Sequence, residues 1–346
     1  MKTDHIIIIR FSAMGDVAMT VPVVYSLAHQ YPDLRISVLS RPFAKAFFSH
    51  MPKNVDFIAA DLKNEYKGIK GLNQLYGRLK AKQPTAIADF HDVLRSKYIR
   101  TRFTLCGYKT AHIDKHKNGK RKLCRQKDKV MEQQPTSFQN YAEVLSKLGY
   151  PIDLSFTSLF ANGGNQLSQL PNIIGEKNNG ERWIGIAPFA AHNGKMYPKE
   201  KMEEVVKVLS TEYSNLRIFF FGGGKEEKQI LNTWATKYKG CTCASEVLHG
   251  LNEELVLISH LDTMISMDSA NMHLASLVGT RVVSIWGATH PYCGFLGWNQ
   301  KEEDAVQNTE LECRPCSVFG NKPCHRGDFK CMHSIAPSVI IERLNL

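Results

Sequence analysis

The stretch HIIIIRF at residues 5–11 constrains this chain more than any other. Four consecutive isoleucines have no polar face, so a strand made of them is covered on both sides, as in a parallel sheet flanked by helices. The pattern continues. LRISVLS, VDFIA, TAIADF and the weaker RFTLCGY read as further strands, with amphipathic stretches such as VPVVYSLAHQ and IKGLNQLYGRLKAKQ between them. The helical segment SFQNYAEVLSKLGY closes this first half. The alternation predicts parallel βαβ units.

A polar passage, ANGGNQLSQLPNIIGEKNNGE, then reads as a linker, and a second βαβ series follows. Its strands are RWIGIAP, LRIFFFGGG, DTMISM and TRVVSIWG. Its helices are PKEKMEEVVKVLSTEY, KEEKQILNTWATKY, EELVLISHL and ANMHLASLV, with IAPSVIIERLNL as a terminal helix. We assign residues 1–165 to an N-terminal domain, 166–182 to the linker and 183–346 to a C-terminal domain. Two α/β halves of similar size imply a ligand-binding cleft. There is no internal repeat.

No run of about eighteen apolar residues occurs, and the first apolar run is too short for a signal-peptide core. The expected compartment is therefore the cytoplasm, where most of the nine cysteines stay reduced. Of the formal charge of +11, most sits in one segment. Residues 109–129 hold nine Lys or Arg against two acids, either a solvated loop or a patch for a polyanion.

Four polar clusters fall at predicted strand ends, the edge where open parallel sheets bind ligands. Gly15-Asp16 follows the first strand, and alone Asp16 reads as a helix cap. In APFAAHNGKMYP, Lys195 precedes Pro198, which is expected to open a helix, and its ammonium can point at a phosphate or simply at solvent. In FFFGGGKEE, Gly222, Gly223 and Gly224 let backbone amides approach an anion, while Glu226 or Glu227 can accept from ribose hydroxyls or serve as first-turn helix acids. It is neither a Walker loop nor GxGxxG. In SMDSANMHLASLVGT, Asp268 ends a strand and Ser269 starts a helix carrying His273 one turn in, an arrangement able to offer amides, a hydroxyl and an imidazole to a diphosphate.

GDVAMTVP, KMYP, FGGGKEE and MDSANMHLASLVGTRVVSIWGATHP, in that order, resemble the ADP-heptose:lipopolysaccharide heptosyltransferases of glycosyltransferase family 9. The likeness spans nearly the whole chain. DFHDVLRS and TAHIDKHKNGKRKL are similar to that family's acceptor-side segments, and the CRPC…C…C stretch to one in the heptosyltransferase II branch. The resemblance implies a GT-B fold, two Rossmann-like domains with parallel sheets facing across a cleft, and an inverting transfer that needs no metal or other cofactor. It implies Asp16 as general base and Lys195 as the group stabilising the departing diphosphate. The donor would be ADP-heptose, held by Gly15, Gly222, Gly223, Gly224, Glu226, Asp268, Ser269, Ala270, Asn271, Met272 and His273. Ala190 and Ala191 stand where the family often has threonines, which shifts phosphate contacts to His192 or Asn193, and Ala270 replaces a common glycine.

The acceptor would be a lipopolysaccharide core or lipid A precursor. Arg95, Lys97, Lys115, Lys120 and Arg121 are its expected contacts. Peripheral attachment to the cytoplasmic face of the inner membrane would use the basic segment and Phe43, Phe47 and Phe48. Cys313, Cys316, Cys324 and Cys331 form C-x2-C-x7-C-x6-C, read as a structural zinc site, as buried thiols or, less readily in a reducing compartment, as disulfides. Either way the loop at 313–331 reads as structural. Other readings are another nucleotide-sugar donor, a nucleotide-sugar epimerase on the same fold, or a basic nucleic-acid-binding protein. The last leaves Asp16, Lys195 and MDSANMH without a role and shows no recognised module, so no nucleic-acid partner is expected.

Overall fold

The computed structural model describes residues 4–346 and divides into two compact units. The first comprises the chain up to Lys115 together with Pro135–Leu159; the second comprises His116–Gln134 and Phe160–Leu346. In the first, β1 (His5–Ile9), β2 (Arg35–Ser40), β3 (Val55–Ala59), β4 (Ala86–Asp89) and β5 (Lys109–His112) form a sheet of order β3-β2-β1-β4-β5. All pairs are parallel, with Ile6 opposite Ile36 on one side and Ala86 on the other. Ile6 through Ile9 are fully buried, as a strand at the centre of such a sheet requires.

The helices of this unit are α1 (Met14–Ala18), α2 (Val21–Gln30), α3 (Gly68–Ala81) and α4 (Leu94–Leu105), and after the excursion α6 (Ser137–Lys147). The helix expected after Gly15-Asp16 is broken in two. Pro22 has no N–H to continue the ladder, and Thr20 Oγ1 donates to the Val17 carbonyl at the break. Residues 102–108, expected as a strand, instead finish α4. Ile99 and Phe103 are buried one turn apart, and Gly107 at φ +82° ends the helix. The strand proper is the next four residues. Thr136 and Gln139 cap α6 reciprocally, at 3.2 and 2.8 Å.

The excursion carries α5 (Lys117–Leu123) and belongs to the second unit. Leu123 and Cys124 are buried with Cys293, and Tyr292, Phe295 and Val318 pack on them. Lys129 Nζ donates to the carbonyls of Glu312 and Arg314 at 2.7 and 2.6 Å. The passage expected as a linker also lies on this unit: Ile174 is fully buried and its carbonyl accepts from Arg217.

The second sheet has β6 (Arg182–Ala187), β7 (Leu216–Phe220), β8 (Cys241–Cys243), β9 (Thr263–Met267), β10 (Arg281–Trp286) and β11 (Ala305–Gln307). Its order is β11-β10-β9-β6-β7-β8, all parallel. Its helices are α7 (Lys199–Glu212), α8 (Lys225–Lys237), α9 (Ala244–Val247), α10 (Leu251–Ser259), α11 (Ala270–Leu277), α12 (Lys330–His333) and α13 (Pro337–Glu342). Tyr197, Met202, Val205, Val206 and Leu209 bury one face of the β6–α7 region against Ile184, Ile186 and Ile218. No helix among the described residues is long and apolar enough to cross a membrane.

Candidate functional site

In an open parallel sheet the ligand site lies where the strand order reverses, beyond the carboxyl ends of the two central strands. These points are β1/β4 in the first sheet and β6/β9 in the second. Both carry the sequence-predicted chemistry.

Beyond β1, Arg10 is nearly buried and bridges the switch point. Its Nη1 donates to the Phe90 carbonyl after β4 at 2.7 Å, and its Nη2 lies 2.8 Å from Asp16 Oδ2. The Ala13 N–H donates to the same oxygen at 3.0 Å, so Asp16 sits inside α1 with its carboxylate turned back to the strand end. Tyr141 of α6 stacks on Phe90 at 4.7 Å and donates its hydroxyl to the Asp16 carbonyl at 3.3 Å. Burial pushes the Tyr141 phenol up, so it stays a neutral donor. His91 Nδ1 accepts from the Phe11 N–H at 3.4 Å. Burial, helped by Arg10 and Lys115, lowers the His91 pKa to about 3 against the pull of Asp16 and Asp92. The imidazole is therefore neutral beside Asp16. Arg10, His91 and Tyr141 escaped sequence reasoning. The spacing of Arg10 from Phe90, 80 residues, leaves no local signal.

At β6/β9, Lys195 Nζ lies 2.8 Å from Asp268 Oδ2, with the carboxylate side chain only 3% exposed. Thr289 Oγ1, in the loop after β10, donates to the same oxygen at 2.8 Å. Ser269 stands at the N-cap position of α11 in extended backbone, and Ser266 Oγ is 3.3 Å from Ser269 Oγ. Met272 and His273 are buried within α11, whereas Ala270 and Asn271 are partly exposed. His192 and Asn193 are exposed on the Lys195 loop. After β7, the glycine run is partly engaged in itself: the Gly222 N–H donates to Ser245 Oγ at 2.8 Å and the Gly223 N–H to Glu227 Oε2 at 2.7 Å. Glu227 is thus the loop's own acceptor, and Glu226 is the exposed carboxylate of the pair.

The expected acceptor residues do not gather on one unit. Arg95 is exposed, Lys97 Nζ lies 3.4 Å from Asp92, and Lys115 Nζ donates to the Asp92 carbonyl at 3.2 Å. Arg100, which sequence reasoning missed, binds both Asp89 and Asp92 at 3.0 Å. Burial pushes the Asp92 carboxyl up, but Arg100 and Lys97 hold it below its ordinary value. Lys120 and Arg121 lie instead on the second unit. Lys120 is buried, its ammonium 4.2 Å from the Phe295 ring centroid, so it anchors α5 while Arg121 stays exposed. Phe47 and Phe48, expected at a membrane surface, are core residues; Phe48 stacks on Phe57.

Cys313, Cys316, Cys324 and Cys331 line one cavity of about 10 Å³. Among the described residues, no three His, Cys, Asp or Glu side chains converge closely enough to hold a metal ion. The C-x2-C-x7-C-x6-C spacing thus brings the four thiols to the wall of one cavity. Burial, with mutual repulsion, raises Cys316 and brings Cys331 to about 11, so these behave as neutral thiols.

Residues 74–323 match the model of glycosyltransferase family 9 (heptosyltransferase). The chain belongs to glycosyltransferase family 9. The lipooligosaccharide heptosyltransferase 2 of Campylobacter jejuni serotype O:2 is 24% identical over 338 residues, 95% of this chain and 94% of that protein. The solved Escherichia coli ADP-heptose lipopolysaccharide heptosyltransferase II superposes with a TM-score of 0.70 at 17% identity, covering 99% of this chain and 97% of that one. The E. coli heptosyltransferase WaaC, solved with ADP, gives 0.67 at 16% identity and 99% coverage of both. The fold is GT-B and the protein is a glycosyltransferase.

Proposed function

We propose that the protein transfers heptose from ADP-heptose to an inner-core lipopolysaccharide acceptor, with inversion and without a catalytic metal. The observation that carries the donor half is the Lys195–Asp268 pair. Two motifs 73 residues apart in sequence meet at the switch point of one sheet, with the start of α11 beside them. A diphosphate there meets the Lys195 ammonium and the amides at the start of α11, which stabilise developing negative charge. Ser269, Ala270 and Asn271 are the partly exposed residues at the start of α11, with Met272 and His273 buried behind them, and Glu226 is the carboxylate available to ribose. The ADP and ADP-2-deoxy-2-fluoro heptose bound by the neighbouring E. coli WaaC support this donor.

Asp16 supplies the base. It accepts the proton of the acceptor hydroxyl as that oxygen bonds to the anomeric carbon, and the carbon–phosphate oxygen bond breaks with its electron pair leaving on ADP. Arg10 and the Ala13 amide fix the carboxylate, and the neutral His91 adds no competing positive charge. On the acceptor side, Arg95, Lys97 and Lys115 of the first unit meet phosphates and carboxylates of the core. The same basic residues hold the protein peripherally at the cytoplasmic face of the inner membrane.

A donor panel tests the reading. With a heptose-deficient lipopolysaccharide acceptor, ADP-heptose yields a product heavier by one heptose, whereas UDP- and GDP-sugars yield none. Turnover of a different nucleotide sugar in preference to ADP-heptose would replace the donor while keeping the site.

A further inference from the structure

The Cys-rich loop touches the donor-side pair through two residues that the reading above leaves without a role. Arg314 is a 5% exposed guanidinium whose donors reach the carbonyls of Trp286, Gly287, Thr289 and Asn308 and the side chain of Gln307. Trp286, Gly287 and Thr289 lead from the end of β10 to the Thr289–Asp268 bond. Gly320, at φ +73°, lies against the stem of Lys195. A Cβ there would sit 2.6 Å from Lys195 Cγ, 3.2 Å from Cε and 3.3 Å from Cδ. The loop also locks to the Lys195 segment through one residue: the Ala288 carbonyl accepts from the N–H groups of Cys316 and Ser317, and the Ala288 N–H donates to the Gly194 carbonyl at 2.8 Å.

We propose that this loop is a positioning element of the donor site, in which Arg314 holds Thr289 on Asp268 and Gly320 provides the track along which the Lys195 stem lies. Binding a diphosphate draws the Lys195 ammonium off a nearly buried carboxylate, and Thr289 keeps a donor on that carboxylate when it leaves. A stem confined by Gly320 has fewer rotamers to lose on binding. Neither residue touches the sugar nucleotide; both act through Lys195 and Asp268. The inference rests on the donor-binding reading of Lys195.

The test is the ADP dissociation constant and the steady-state constants of Gly320→Ala, Thr289→Val, Thr289→Ser, Lys195→Ala and the Gly320→Ala/Lys195→Ala pair. Gly320→Ala and Thr289→Val are expected to weaken ADP binding, or lower kcat/KM for the donor, by roughly 10- to 100-fold, the scale of a misplaced contact group. Acceptor KM stays unchanged and Thr289→Ser restores wild-type behaviour. In the Lys195→Ala background, Gly320→Ala costs nothing more. Wild-type ADP binding and turnover in Gly320→Ala and Thr289→Val, beside a weakened Lys195→Ala, overturn the inference alone. So does a Gly320→Ala loss that persists in full without Lys195, since that is a general structural effect. Wild-type ADP binding and turnover by Lys195→Ala itself overturn the donor reading and this inference with it.

Discussion

Asp16, Lys195 and Asp268 stood out in the sequence as candidates because each stands beside a glycine, a proline or a helix start at a strand end, although Asp16 and Lys195 took their proposed roles only from the resemblance to family 9. Arg10, Thr289 and Arg314 were not, because what they do depends on partners brought in by the fold. Arg10 is the residue-scale example. At 8% side-chain exposure beside an Asp16 that is 30% exposed, its fork holds one carboxylate oxygen and the Phe90 carbonyl at once. Arg10→Lys keeps the charge but not the fork, and Arg10→Gln loses the charge. Both are expected to lower kcat with ADP affinity unchanged, Arg10→Gln by about 10²-fold and Arg10→Lys by less. Steady-state kinetics with parallel ADP titrations check this; an unchanged kcat in both variants contradicts it.

At the scale of elements, the central strands were readable because a strand covered on both faces is apolar throughout. The edge strands β8 and β11 were not, being three residues each with no pattern long enough to register. Residues 102–108 misled for a related reason: a short apolar run fits either periodicity until Ile99 is counted with Phe103. Close approach between elements is equally invisible in the sequence. Gly71 in α3 shows it, since a Cβ there would lie 2.3 Å from the backbone carbon of Tyr66, which has no rotamer to yield. Gly71→Ala is expected to destabilise the first unit by about 1–3 kcal/mol. Chemical denaturation reads it; wild-type stability would mean that α3 slides freely on the preceding turn.

At the scale of the whole chain, two parallel α/β halves were legible from the repeated βαβ alternation and GT-B from the resemblance to family 9, but the course of the chain through them was not. Residues 116–134 follow β5 yet belong to the second unit, because Leu123 and Cys124 find their apolar partners around Cys293. Each unit also holds a buried neutral histidine. Burial and Arg10 bring His91 to about 3, and burial, Arg314 and Lys129 bring His290 to about 4. Both values lie below the ordinary 6.5. The unfolded chain therefore binds protons that the fold refuses, and stability is lost as pH falls from about 6.5 toward those values. Denaturation midpoints are expected to drop between pH 7 and 4.5. His290→Asn, whose amide oxygen can still accept from the Tyr292 N–H, flattens that slope. An equal slope in the variant contradicts the assignment.

The central claim is that one carboxylate does the proton transfer and a separate site holds the donor. The most direct measurement is a single-turnover transfer from ADP-heptose to a heptose-deficient acceptor by wild type and Asp16→Asn, with ADP affinity measured on both. Asp16→Asn is expected to transfer roughly 10²- to 10⁴-fold more slowly than wild type, with ADP affinity unchanged. Transfer at the wild-type rate by Asp16→Asn would contradict it.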